Sequence, residues 1–444
     1  MQARRNYCAF SLLEKKVDNH GSPAVINAVF VDGNYQLRLL PPDIPPTFGG
    51  LSASILNSVL AYGAQRTDVV SDTLESGWIK ECERERRGAD AVRYTMSGPD
   101  QIRPKDLDKA LKSPSFKEQL PQFLMRDWAE QHHAQALSGR ELYLGVQGEC
   151  ARFTVVNGYV KKDIIEDLAC NHSEADSRLC LHLHQYNRNN AVDGHNTVVR
   201  CSNTDILVIL IHHVHRMKTN VRIETGTAGR SDRRYVDVTA IADSMGPKMC
   251  AALPAFHAYT GCDYTAAFIR KGKKRPFALL EKDHQAQTAF EQLCTEPQSV
   301  AEDTLFNFTA AIYSSKKTTQ LNEHRFRVFE KAYEPKDIEK PLEKLKGVDS
   351  SSIPPCESEV KMKIARTAFV ARYWHTAHLN YVTKEPESGW ELVDGSYRFI
   401  WFDGNQIPDT VVPETVEELE SDSDEDERRA EIDDMSEEDD DYDD

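Results

Sequence analysis

The chain has 444 residues, 40% of them hydrophobic, enough to bury a sizeable core in two or three domains. No run approaches the roughly 20 apolar residues of a membrane span, which excludes an integral helical membrane protein as the expectation. The net charge of −17 is confined to the segment 414–444, with 19 acids and two arginines, while the remainder balances 52 acids against 52 bases and is not hostile to a polyanion.

The opening residues lack the long apolar stretch of a signal peptide and read as an ordinary N-terminal strand, with an organelle-targeting leader as the alternative. A nuclear or cytoplasmic protein, not a secreted one, is expected. Ten cysteines occur without a C-x-x-C pair, which favours reduced thiols over disulfides or zinc knuckles.

In chain order, residues 24–32 form an apolar run ending in an acid, as a buried strand does. Thr47 to Tyr62 has helical spacing, and Thr67 to Asp72 reads as a second strand. A charged and polar stretch of about 78–138 reads as a helical insertion. Within it, Lys112 to Gln131 predicts an amphipathic helix with Phe116, Leu120, Phe123, Leu124 and Trp128 on its apolar side. Glu141 to Val146 is a strand candidate, and Ser173 to Tyr186 a helix with Ser173 as its cap. Asn196 to Cys201 and Asp205 to Ile211 frame a strand-and-turn unit. His212, His213 and His215 read as a strand continuation with partly exposed imidazoles, because no cysteine or carboxylate at matching spacing accompanies them. The His132-His133 pair points to nothing specific. Leu253 to Gly261 leads into a Gly/Lys-rich turn. From Glu281 the pattern turns helical and aromatic-rich, and a break at Pro354-Pro355 precedes a helix over Glu359 to His378. The tail cannot bury a core and is expected to be disordered. Strands alternating with helices predict an α/β domain on a mainly parallel sheet.

Apolar runs closed by an acid recur at Asp32, Asp72, Asp205 and Asp263, and Glu174 with Asp176 opens a helix. In parallel sheets the carboxyl ends of the strands share one edge, so such acids converge there. Converging carboxylates repel one another unless a cation neutralises them, and hard oxygen ligands suit Mg²⁺ or Mn²⁺. Two such ions serve phosphodiester hydrolysis. Taken singly, each acid is far more often a turn former or a helix cap than a ligand, and only their joint spacing argues for a site.

The ordered series resembles the flap-endonuclease/PIN-like nuclease superfamily. Val31-Asp32-Gly33 resembles its first-strand aspartate and Val69 to Asp72 its second, with Ser71 in place of the usual phenylalanine. Glu174-Ala175-Asp176 resembles its metal-binding helix, Ser202-Asn203-Thr204-Asp205 its acidic turn, and Gly261-Cys262-Asp263-Tyr264 the motif before its hairpin. Lys271-Gly272-Lys273-Lys274-Arg275 resembles the hairpin that grips a phosphate backbone. Closer still are uncharacterised, mobile-element-associated animal proteins of this type, on His172 to Arg178, Asn203 to Leu207, His257 to Asp263, and the later segments Ser358 to Trp374 and Gly389-Trp390.

The resemblance implies a PIN-like three-layer α/β/α nuclease domain over residues 1–285, a mostly helical region over 286–413 and an acidic tail over 414–444. It implies Asp32, Asp72, Glu174, Asp176, Asn203, Asp205 and Asp263 as ligands of two Mg²⁺ or Mn²⁺ ions. Lys80 with Arg84 or Arg87 would hold the scissile phosphate, and Lys271, Lys273, Lys274 and Arg275 would contact DNA or RNA. Solvated Glu–Arg pairs and an exposed loop are the alternatives for the two basic groups. Asn203 stands where the family carries an aspartate, keeping a carbonyl ligand but losing a charge. The alternative function is therefore a catalytically weakened nucleic-acid-binding or scaffold protein derived from a mobile element. The tail would solubilise the chain or engage basic protein partners.

Overall fold

The computed structural model describes residues 9–18, 21–41, 43–73, 77–79, 92–226, 233–313, 320–333, 335–337, 340–344, 349–386, 388–402, 404, 406 and 408. Lys80, Arg84, Arg87 and the tail from 414 lie outside the described residues.

An eight-stranded sheet organises the chain. Its strands are β1 (Ala28–Asp32), β2 (Arg66–Val70), β3 (Glu141–Val146), β4 (Glu149–Val156), β5 (Tyr159–Ile164), β6 (Asn196–Arg200), β7 (Asn220–Thr225) and β8 (Arg234–Asp237), in the order β5-β4-β3-β2-β1-β6-β7-β8. The inner five, β3-β2-β1-β6-β7, run parallel; β4 and β8 are antiparallel to their inner neighbours. Between β1 and β6 the order reverses, so the carboxyl ends of these two strands flank the crevice where α/β sheets place ligands.

Besides a helix over 9–14 and four-residue helices at Leu107–Ala110 and Ala134–Leu137, the α-helices among the described residues are α1 (Gly33–Arg38), α2 (Phe48–Leu60), α3 (Pro114–Asp127), α4 (Ala175–Asn189), α5 (Thr204–His213), α6 (Val238–Met245), α7 (Pro247–Tyr259), α8 (Lys274–Lys282), α9 (His284–Thr295), α10 (Glu302–Tyr313), α11 (Leu321–Ala332) and α12 (Glu357–His375). Alternation along β1 divides them into two layers. Val29 and Val31 join the core under α2 and α3, whereas Ala28 and Phe30 join the core under α4, α5, α6 and α7. Being buried on both faces, β1 reads as a continuous apolar run. The second core continues without interruption into α9, α10 and α12, so the C-terminal helices share it with the sheet. Among the described residues, no helix is long and apolar enough to cross a membrane.

Four expectations are corrected. Residues 9–14 are helical, not a strand, with Phe10 and Leu13 buried one turn apart. Asp205 to Ile211 lies in helix α5, whose N-terminus is capped by Asn203 Oδ1 accepting from Asp205 N at 3.1 Å. His212 and His213 therefore end a buried helix and lie 8% and 0% exposed; His215 is exposed. Ser173 does not cap α4, because Glu174 occupies that position and Asp72, arriving from β2, accepts from Ala175 N.

Candidate functional site

Asp32 ends β1 and starts α1. Its Oδ1 accepts from Asn34 N at 2.9 Å and Tyr35 N at 3.2 Å, the N-cap arrangement that satisfies the first amides of a helix. Asp72 lies just past the neighbouring β2, where its Oδ2 accepts from Asn34 Nδ2 at 2.8 Å and its Oδ1 from Ala175 N at 2.8 Å. Asn34 thus links the first two strand-end acids, and Asp72 links them to the first turn of α4, which carries Glu174 and Asp176. Burial, and then the neighbouring charge of Asp72, push the Asp32 carboxyl up to about 7 against the lowering effect of its amide donors. Asp32 is therefore about half protonated near pH 7 unless a cation compensates its charge.

The band continues from α4 to α5. Asp176 Oδ2 accepts from Asn203 Nδ2 at 2.7 Å, and Asn203 in turn caps Asp205 N. Just past the end of β6 the Cys201 thiol is pushed well up, first by burial and then by the charges of Asp32 and Asp176. Asp205 points inward: its Oδ1 meets His257 Nε2 at 2.8 Å. On the far side of that ring, His257 Nδ1 lies 3.0 Å from Lys273 Nζ, which also donates to the His257 carbonyl at 2.8 Å and to Thr260 Oγ1 at 3.0 Å. Burial and Lys273 hold the imidazole below its ordinary value; Asp205 and Asp263 act in the opposite sense. Asp263 is therefore electrostatically coupled to the same ring. It sits half-buried in a turn that starts at Gly261, whose φ of +111° is open to glycine.

Asp32, Asp72, Asp176, Asn203 and Asp205 are thus linked by hydrogen bonds running from the ends of β1 and β2 to the first turns of α4 and α5, whereas Glu174 shares only the head of α4 and Asp263 reaches the set only through its charge on His257. They stand in linked pairs. Among the described residues, the sets of three His, Cys, Asp or Glu ligand atoms within 4.8 Å of one another are Cys180/His184/His213 and Asp127/His132/His133. The strand-end set consists of oxygen donors only, the donor type that hard divalent cations take, but no three of its acids bring ligand atoms within 4.8 Å of one another.

The basic turn is divided. Lys274 and Arg275 are exposed at the start of α8, and Lys271 is half-buried with its Nζ 5.0 Å from the centre of the Tyr313 ring. Lys273 is 6% exposed and spends its ammonium on His257 and Thr260, so it presents no charge to a polyanion; it supports Asp205 instead. Sequence reasoning missed the parts played by Asn34, His257 and Lys273. His257 and Lys273 lie inside the quoted motifs, but nothing in their spacing separates a buried contact from an exposed one.

No protein-family model matches the chain, and no curated protein matches it. The fold defines a class: an α/β protein on a mostly parallel eight-stranded sheet, with linked acids at its topological switch point.

Proposed function

We propose that the chain is a divalent-metal-dependent phosphodiesterase, a structure-selective nuclease acting on DNA or RNA in the manner of the PIN-like superfamily it resembles. The observation that carries this reading is the linked series of acids contributed by the ends of β1 and β2, the first turns of α4 and α5, and the turn after α7. Oxygens of Asp32, Asp72, Glu174, Asp176 and Asp263 would hold Mg²⁺ or Mn²⁺, with Asn203 a neutral neighbour. Asp205 adds negative charge from beneath, oriented by His257 and Lys273. When bound, such ions neutralise phosphate charge and activate water. Lys80, Arg84 and Arg87 would steady the scissile phosphate, and Lys271, Lys274 and Arg275 the backbone beyond it, through contacts weakened by salt.

The test is cleavage of flap, hairpin and single-stranded substrates by the full chain with Mn²⁺. Wild type is expected to cut and Asp176→Ala to lose at least 100-fold of the rate. Absence of cleavage by wild type, or equal cleavage by Asp176→Ala, removes the enzymatic claim. A second reading, a binding or scaffold protein that keeps the fold without the chemistry, is favoured by one contact. The Asn203 amide already occupies an oxygen of Asp176 that a cation would otherwise claim. Salt-dependent binding without turnover would select it.

A further inference from the structure

Five histidines and a cysteine meet where α4, α5 and the C-terminal end of α12 join, away from the acids at the head of α4. We propose that Cys180, His184, His213 and His378 form a buried site for a zinc-class transition ion that staples α12 to the helices covering the sheet.

Cys180 and His184 are four residues apart on α4 and so share one face. Cys180 and His184 lie four and eight residues beyond Asp176, about 6 and 12 Å along the helix at 1.5 Å per residue, so the site lies one to two turns further along α4 than the acids at its head. His213 ends α5, and His378 follows α12 by three residues. The ligand atoms of Cys180, His184 and His213 already lie within 4.8 Å of one another, all three residues being buried. His184 Nε2 and His213 Nδ1 are 3.2 Å apart. Two imidazole nitrogens on a tetrahedral zinc, with bonds of about 2.0–2.1 Å, stand roughly 3.3–3.4 Å apart, so the pair needs almost no rearrangement.

Tautomer selection points the same way. His213 Nε2 meets the Trp374 carbonyl at 2.9 Å, so this nitrogen carries the proton and Nδ1 keeps its lone pair for a ligand. A metal-bound imidazole is held in this way, through its second nitrogen on a backbone carbonyl. His378, whose ring stands just outside the three ligand atoms that lie within 4.8 Å of one another, would turn in as the fourth donor. Its ring centre is 5.3 Å from that of His184 and 5.4 Å from that of His213. Its buried Nδ1 meets no partner at hydrogen-bonding geometry, although the His375 carbonyl lies near the ring. The remaining pair is committed to packing: His212 Nε2 lies 2.9 Å from His375 Nδ1, and His212 Nδ1 lies 3.1 Å from the Cys250 carbonyl. Binding releases the Cys180 thiol proton to solvent and moves the His184 proton from Nε2 to Nδ1, leaving one thiolate and three neutral imidazoles on the ion. Arg216 favours the thiolate that burial opposes. Sulfur and imidazole donors select Zn²⁺, Co²⁺ or Cu over the Mg²⁺ or Mn²⁺ suited to the strand-end acids.

The experiment uses the full chain with any polyhistidine tag removed. Atomic emission is expected to find about one zinc per chain after dialysis. Titration of the chelator-stripped chain with Co²⁺ should give tetrahedral visible bands and a sulfur-to-cobalt charge-transfer band, unchanged by a large excess of Mg²⁺. Cys180→Ser should lose the charge-transfer band, and His213→Asn should weaken Co²⁺ binding at least tenfold. A wild-type chain that takes up neither zinc nor cobalt overturns the proposal without reference to any variant. So do displacement of cobalt by Mg²⁺ and a Cys180→Ser spectrum identical to wild type.

Discussion

Asn203 is the residue on which the proposed binding of a cation at the acidic edge turns. Its amide nitrogen donates to Asp176 at 2.7 Å while its oxygen caps α5. An aspartate at this position keeps the cap, because a carboxylate oxygen accepts from the same amide, but it replaces a donor to Asp176 with a second negative charge. Two carboxylates at that separation raise each other's affinity for protons and for cations. Asn203→Asp is therefore expected to bind Mn²⁺ at least tenfold more tightly in calorimetric titration, a gain of about 1.4 kcal/mol. It should also melt at a lower temperature than wild type when stripped of metal. Unchanged Mn²⁺ affinity would place position 203 outside the cation's reach.

The turn between α7 and α8 shows how an element delivers a side chain. A β-carbon added at Gly261 would lie 2.5 Å from the Ala267 β-carbon and 2.6 Å from its α-carbon, and the φ of +111° is one that other residues avoid. Gly261→Ala should cost about 1–3 kcal/mol in chemical denaturation and displace Asp263. Metal-dependent cleavage should then fall further than the folded fraction does; a parallel fall of both would mean that Asp263 is not needed in place. Much of this frame was legible in the sequence. The central strands announce themselves as apolar runs, the acids follow them, and Thr47 to Tyr62 has clear helical spacing over what is α2. Helix α5 was not legible, because its ten residues are buried all round and show neither a 3.6-residue nor a 2-residue period. The cap of α4 was hidden because Asp72 supplies it from a distant strand. Lys273 is chemically identical to its exposed neighbour Lys274, and only packing separates them. The histidine site escaped because Cys180, His213 and His378 are far apart in the chain and converge only once α12 docks.

Across the whole molecule, a charged triad ties the sheet to its covering layer. Asp68, wholly buried on β2, accepts from Arg66 Nε at 2.7 Å and Nη2 at 2.8 Å, and from His182 on α4 at 2.8 Å. Burial alone would raise the Asp68 carboxyl, but the Arg66 guanidinium, followed by the His182 hydrogen bond, more than reverses this and holds it below its ordinary value. In acid the unfolded chain therefore binds a proton at Asp68 that the folded chain refuses. The stability contributed by the carboxylate is fully present above the unfolded value of about 4 and is lost as the pH falls through the lower folded value. Asp68→Asn removes that charge and leaves Arg66 buried without its counter-ion, at a cost of about 3–5 kcal/mol near neutrality. Urea denaturation of both chains across pH should show this difference constant between pH 5 and 7 and shrinking below about pH 4, where the unfolded wild-type chain begins to protonate Asp68 while the folded chain still refuses the proton. A gap that stays constant into strong acid would mean that Asp68 takes up its proton equally well in the folded and unfolded chains, and that Arg66 and His182 do not hold it ionised.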